Sequence, residues 1–133
     1  MVRTDSVGDV LLAGPAVRAI ACRYEVTFLA GPIGAPAARL LPGVDDVIEF
    51  DTQWIAADPP AVDGAAISRL VDAISWGSYD VAAILTSARQ SPLPMALLLR
   101  IAGIDRVAAV SRDYPGSLLD VRIKGYPDVH EGE

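Results

Sequence analysis

The sequence has very few of the side chains on which many catalytic and metal sites depend. Among its 133 residues are one cysteine and one histidine. A single cysteine, Cys22, cannot form an internal disulfide, and its apolar neighbours predict a small buried side chain. A single histidine, His130, argues against a Ser-His-Asp triad. The adjacent acids Asp45 and Asp46 are typical of a turn. We therefore predict no metal and no cofactor.

Basic residues are also scarce. Eleven Lys and Arg stand against seventeen Asp and Glu, which gives a net charge of −6. A nucleic-acid surface needs positive charge to neutralise phosphates, so we expect no nucleic-acid partner. The start of the chain has no secretory pattern, and the densest apolar run, residues 92–99, is far shorter than the roughly 20 residues needed to span a bilayer. We expect a cytoplasmic protein.

What the sequence does contain is an alternation of short apolar runs with stretches of helical spacing. A composition of 52% hydrophobic and 21% charged residues is typical of one globular domain with a real core. Four apolar, partly β-branched runs suit strands buried on both faces. They are residues 25–30, 46–50, 79–85 and 106–110.

Three helices are predicted, one before the first run and two between later runs. One spans residues 9–22 with a kink expected at Pro15, one is capped by Asp63 and runs to about Ser75, and one begins at Pro92 and ends at Gly103. Residues 51–63 read as a long loop. Strands that alternate with helices indicate parallel β-α-β units. The predicted fold is α/β, a Rossmann-like open parallel sheet with helices on both faces.

The beginning of the chain is unusual for such a sheet. Only three residues precede the polar turn at residues 4–6, although the first strand of a doubly wound sheet is normally central and buried. We expect most of this strand to be missing, with the true start upstream; the alternative is a very short central strand. The C-terminal end stops on a polar stretch. The prediction is one domain over residues 1–133 that is cut at both ends.

Several loop motifs occur in a characteristic order. A basic residue, Arg3, is followed by the turn Ser6-Val7-Gly8-Asp9 and by a helix that contains Pro15. Residues 42–45, 86–92 and 102–104 supply further matches. Together these motifs resemble glycosyltransferase family 9, the lipopolysaccharide heptosyltransferases. The resemblance covers nearly the whole chain, but only the N-terminal domain of that family.

The resemblance implies the acceptor-side half of a GT-B enzyme, in which two Rossmann-like domains face a cleft. The complete protein would transfer a heptose-like sugar from a nucleotide-sugar donor to a glycan or glycolipid acceptor, with inversion, without a metal, and with Asp9 as general base. The donor would bind mainly to a C-terminal domain that this chain does not contain, so the chain alone is expected to be inactive. The resemblance also allows peripheral membrane association of the complete protein.

The chemistry of Asp9 also makes sense from the residues. A sugar hydroxyl is a poor nucleophile, and a carboxylate within hydrogen-bond reach can take its proton. A loop-to-helix junction at the carboxyl edge of a parallel sheet faces the ligand crevice, and Gly8 lets a backbone or substrate approach closely. The alternative is that Asp9 only stabilises the first helical turn, where acidic residues are favoured.

The remaining candidate side chains are hydroxyls, guanidiniums and an amide in the two loops. Thr4 and Ser6 either hydrogen-bond an acceptor or shape the turn. Arg3 and Arg89 either hold an anionic acceptor group or are solvated. Gln90 and Ser91 share the loop and the alternatives of Arg89. Trp54 and Trp76 are expected to be partly buried packing residues rather than platforms for a sugar.

Two other functional classes fit the same fold. One is a non-catalytic α/β module that binds a ligand or a partner protein; the other is an inactive remnant that self-associates through exposed sheet edges. A generic module has no reason to carry both the turn at residues 6–9 and the loop at residues 87–92. The ordered set of motifs therefore favours the glycosyltransferase.

Overall fold

The computed structural model describes residues 1–87 and 89–124. Ala88, within one of the predicted motifs, and residues 125–133, which include His130, lie outside the described residues. The described chain divides into two compact units. The first consists of residues 1–52 and 85–87, and the second of residues 53–84 and 89–124.

The first unit contains three helices and two strands. They are α1 (Val7–Leu12), α2 (Gly14–Ala21), β1 (Thr27–Ala30), α3 (Ala35–Ala38) and β2 (Asp46–Glu49). The two strands pair in parallel, with Thr27 opposite Asp46 and Ala30 opposite Glu49. Small and β-branched side chains from the helices and from β1 fill its core, which is centred on Val10, Val17 and Phe28.

Residues 1–3 take a strand-like place with hydrogen bonds on both sides. Val2 is buried and bridges Leu29 in parallel. Arg3 N donates to Leu29 O at 3.0 Å, and Leu29 N donates to Met1 O at 2.8 Å. On the other side, Leu85 N donates to Val2 O at 2.9 Å. The short segment therefore occupies the place that was predicted for a central first strand, and it delivers Arg3 at its carboxyl end.

The predicted kink at Pro15 is a complete break between two helices. The first helix ends at Leu12, and Pro15 lies in the first turn of α2, where its missing N–H costs nothing and its fixed φ suits a helix start. Cys22 follows the last turn of α2 and is exposed. The prediction that Cys22 is buried was therefore wrong, because the residue lies beyond the packed helix rather than on its inner face.

The second unit contains two helices and three strands. They are α4 (Gly64–Gly77), β3 (Ala82–Ile84), α5 (Leu93–Ile101), β4 (Val107–Val110) and β5 (Val121–Ile123), with short 3-10 turns at Gln53–Ile55 and Gly116–Leu118. The strands lie in the order β3-β4-β5, and both pairs are parallel. Among the described residues, no helix has the length and apolar character needed to cross a membrane.

The predicted α/β fold with parallel strands is confirmed, although the elements are shorter than expected. All four predicted strands are present, as residues 27–30, 46–49, 82–84 and 107–110. Residues 51–63 form the predicted loop, apart from one 3-10 turn. Trp54 is half-buried as predicted. Trp76 is 88% exposed, so its predicted packing role was wrong: it lies outside the buried face of α4 that Leu70 and Ile74 define.

The N-terminus of α4 is held by the predicted cap. Asp63 Oδ1 accepts hydrogen bonds from Ala65 N at 2.9 Å and from Ala66 N at 3.2 Å. These are two of the backbone donors that a helix start leaves without a partner inside the helix.

Replacing Asp63 by alanine should lower the free energy of unfolding by about 1 kcal/mol, because both backbone donors lose their acceptor. Urea unfolding followed by circular dichroism would measure the loss. Asp63→Asn is the control, since it keeps a side-chain acceptor and should stay within about 0.5 kcal/mol of wild type. Equal losses in the two variants would contradict the assignment of the cap.

Candidate functional site

The first loop of the chain places a buried guanidinium between two carboxylates. The Arg3 and Asp5 side chains are each only 6% exposed, and Arg3 Nε lies 3.0 Å from Asp5 Oδ2. Arg3 Nη2 donates to Asp9 Oδ1 at 2.9 Å. A buried charge is tolerated only when it is paired, so these contacts explain how Arg3 can be removed from water. The solvated alternative for Arg3 was wrong.

Asp9 is bonded to Ser6 through its second carboxylate oxygen. Asp9 Oδ2 accepts from Ser6 Oγ at 2.6 Å and from Ser6 N at 3.2 Å, while Asp9 N donates to Ser6 Oγ at 3.3 Å. This reciprocal arrangement is a capping box at the start of α1. The turn-shaping role of Ser6 is therefore present. The Asp9 side chain remains 26% exposed and can be reached from solvent.

The surroundings of Asp9 favour its charged form. The hydrogen bond from the Ser6 hydroxyl lowers the pKa of Asp9 most, and the Ser6 backbone N–H and the Arg3 charge lower it further. Partial burial acts in the opposite direction and is outweighed. At neutral pH Asp9 is therefore a carboxylate, which is the form that can accept a proton.

Two members of this cluster were not among the predicted site residues. Asp5 was assigned to a polar turn, and Ser87 was noted only as part of a motif. In the structure Ser87 Oγ donates to Asp5 Oδ2 at 3.1 Å. The sequence feature that could have indicated Asp5 is its two-residue spacing from Arg3. Residues i and i+2 of an extended segment share a face, so the two side chains are expected to lie close together. Nothing local could have paired Asp5 with Ser87, which is 82 residues away in sequence.

Thr4 and Gly8 flank the ion pairs in different ways. The Thr4 carbonyl lies against Gly31, where an added Cβ would stand 2.7 Å from Thr4 O. Gly31 thus permits the close passage of the two segments. Gly8 is exposed in the first turn of α1, and the nearest atom to an added Cβ is Ser6 Oγ at 3.7 Å. The fold itself has no need of glycine at position 8.

The other three predicted site residues belong to the second unit. Arg89 and Ser91 are exposed, and Gln90 is half-buried. Ser91 Oγ accepts from Leu93 N at 3.4 Å, at the start of α5. Within residues 1–87 and 89–124, no three His, Cys, Asp or Glu side chains are grouped so that they could hold a metal ion.

The fold defines the class: an α/β domain with parallel strands, consistent with one Rossmann-like half of a GT-B fold. A solved structure with this fold is the ADP-heptose LPS heptosyltransferase II of E. coli. The likeness has a TM-score of 0.68 and 23% sequence identity, and it covers 92% of this chain and 34% of that chain, so this chain spans about a third of that protein's length. No protein-family model matches the chain, and a search of curated proteins gives no match.

Replacing Asp9 by asparagine should make the free energy of unfolding depend less on pH in the acidic range. The pKa of Asp9 in the folded chain lies below the unfolded value of about 3.9, so its stabilisation is present above that value and is lost as the pH falls through the folded pKa. The difference in unfolding free energy between wild type and Asp9→Asn should therefore shrink between about pH 6 and about pH 2. Urea unfolding at a series of pH values measures it, and a constant difference would contradict the assignment.

Proposed function

We propose that this chain is the acceptor-side, N-terminal domain of a GT-B glycosyltransferase of the family 9 type. The complete protein would transfer a heptose-like sugar from a nucleotide-sugar donor to a glycan or glycolipid acceptor. The observation that carries the proposal is Asp9, an ionised and accessible carboxylate at the start of the first helix of a heptosyltransferase-like fold. Ser6 and Arg3 hold its two oxygens in place.

The proposed reaction is a single displacement at the anomeric carbon. The acceptor hydroxyl oxygen attacks that carbon while its proton passes to the Asp9 carboxylate. The bond between the anomeric carbon and the donor phosphate oxygen breaks, and the nucleotide leaves with the electron pair. Attack on the face opposite the leaving group inverts the configuration. As the family resemblance implies, the proposed mechanism uses no metal.

The contacts of Asp9 suggest which of its oxygens receives the proton. Among the described residues, Oδ2 accepts two hydrogen bonds from Ser6, whereas Oδ1 accepts one from Arg3. Each carboxylate oxygen has two lone pairs, so Oδ1 retains capacity for an acceptor hydroxyl. In the proposal Oδ1 is the base, and the Arg3 and Ser6 side chains keep it in position.

The remaining site residues have supporting roles in this proposal. Thr4 and Ser6 are candidates for hydrogen bonds to the acceptor, and Arg89, Gln90 and Ser91 remain candidate acceptor-binding residues of the second unit. The nucleotide-sugar donor would be held mainly by a C-terminal domain. The likeness extends over 34% of the heptosyltransferase chain, so a protein of that length has room for such a second domain. By itself, the chain should bind nucleotides weakly and transfer no sugar.

In the complete protein, Asp9→Asn should lower turnover by about 10²- to 10⁴-fold, because the amide cannot take the hydroxyl proton. Turnover is measured with a nucleotide-sugar donor and a glycolipid acceptor, and circular dichroism checks folding. Asp63→Ala is the matched control. It also removes an acidic helix cap, but Asp63 has no place in the proposed site, so its turnover should remain at the wild-type level. Wild-type turnover in Asp9→Asn would leave Asp9 as a helix cap alone.

Gly8→Ala should reduce the access of the acceptor to Asp9 without lowering the stability of the fold. Alanine is favoured over glycine in a helix by about 0.5–1 kcal/mol, and no neighbouring atom obstructs the new Cβ, so the variant should be at least as stable as wild type. We nevertheless expect kcat/KM to fall about tenfold or more, because the methyl group occupies space beside Asp9 that the acceptor needs.

The control for this experiment is Gly64→Ala. Gly64 also lies in the first turn of a helix and has open space around an added Cβ. Its substitution should change stability in the same way without affecting transfer. If both variants retain full kcat/KM, Gly8 has no role in acceptor binding.

A further inference from the structure

The carboxylate of Asp5 is placed to control Arg3. It is nearly as buried as the guanidinium that it contacts, and it is itself fixed by Ser87, which comes from a distant part of the sequence. A surface turn residue needs neither burial nor a partner. The same Arg3 guanidinium reaches Asp9 through Nη2. The contacts therefore run without interruption from Ser87 through Asp5 and Arg3 to Asp9.

We propose that Asp5 is a positioning residue that acts on Asp9 through Arg3, by holding the guanidinium in one orientation and by offsetting its positive charge. The inference rests on the proposed function, in which Asp9 is the base. Asp5 itself touches no reacting atom in this scheme. Ser87 supports it by fixing one carboxylate oxygen.

The orientation follows from the shape of arginine. The guanidinium is planar, and its donors diverge in fixed directions. The Nη2 donor is directed at Asp9 Oδ1, and Nε lies 3.0 Å from Asp5 Oδ2 as an ion-pair contact rather than an aligned hydrogen bond. A lysine-like point charge would carry no such constraint. The Asp9 oxygen that Arg3 contacts is therefore held at a defined position.

The charge of Asp5 also affects the basicity of Asp9. Arg3 and Asp9 alone would form a neutral pair, in which the guanidinium disfavours protonation of Asp9. Asp5 places a second carboxylate beside the guanidinium and so offsets part of the effect of Arg3 on Asp9. Of the helices packed against α1, α3 has no titratable side chain and α2 has only Arg18. Among the described residues, Asp5 is thus an acidic group that contacts Arg3 and counteracts its charge.

The test is a ¹³C NMR titration of the Asp9 carboxyl in the 133-residue chain. Asp5→Asn removes the charge but keeps a side-chain oxygen that can accept from Arg3. We expect the Asp9 titration midpoint to fall by about one pH unit in this variant, because a neighbouring negative charge is lost. An unchanged or raised midpoint would overturn the proposal.

Asp46→Asn is the matched control. Asp46 belongs to the same unit and is exposed at the amino end of β2, where it accepts a hydrogen bond from Val47 N. Its substitution removes the same charge and should leave the Asp9 midpoint in place. An equal shift of the Asp9 midpoint in both variants would mean that only the net charge of the chain matters, and this would also overturn the proposal.

A second measurement needs no variant, which keeps the proposal testable if Asp5→Asn does not fold. A fixed guanidinium gives separate ¹⁵N signals for its two terminal nitrogens, whereas a rotating one gives an average. Separate signals for Arg3 support the positioning role, and averaged signals would contradict it. Neither NMR readout depends on sugar transfer, so a failure of the proposed function would be seen separately, as wild-type turnover in Asp9→Asn.

Discussion

The burial of the Arg3 guanidinium is the constraint on which the first unit depends. A charged group removed from water is costly unless charged partners and hydrogen bonds compensate for the lost solvation. Here the compensation comes from Asp5 and Asp9, and Ser87 completes the environment of Asp5. Three segments of the chain are thereby tied to one side chain: the loop after residues 1–3, helix α1 and residues 85–87. The position of the proposed base is thus a consequence of the way the unit folds.

Local rules explain the elements that were predicted from sequence. The start of α4 depends on Asp63 and its own next residues, and the break between α1 and α2 depends on the ring of Pro15. Such effects act within one turn of the chain, so the sequence shows them directly. The strand runs were equally visible because they are apolar throughout. By contrast, β5 has only three residues, with Arg122 at its centre, and its strand character depends on pairing with β4.

The site residues could be predicted from sequence only where they are near neighbours along the chain. Arg3, Ser6 and Asp9 belong to one short motif, and the structure brings them together through contacts that span no more than six residues. Asp5 has partners of two kinds: Arg3, two residues away, and Ser87, which only the fold brings near. A turn-like sequence around Asp5 therefore concealed a buried ion pair. The exposure of Trp76 illustrates the same limit, because composition does not show which face of α4 is packed.

The contacts that stabilise the Asp9 carboxylate and its proposed role as a base have opposite requirements for its pKa. The hydrogen bonds that cap α1 also favour the carboxylate over the acid, and this lowers the proton affinity that a general base needs. A weak base can still serve if the proton moves late. As the bond to the anomeric carbon forms, the attacking oxygen becomes electron-poor and its proton more acidic, so a carboxylate of low pKa suffices at that stage. In the proposed mechanism, proton transfer is therefore concerted with displacement. A carboxylate of low pKa is too weak a base for a resting hydroxyl, but the hydroxyl becomes more acidic as the new bond forms.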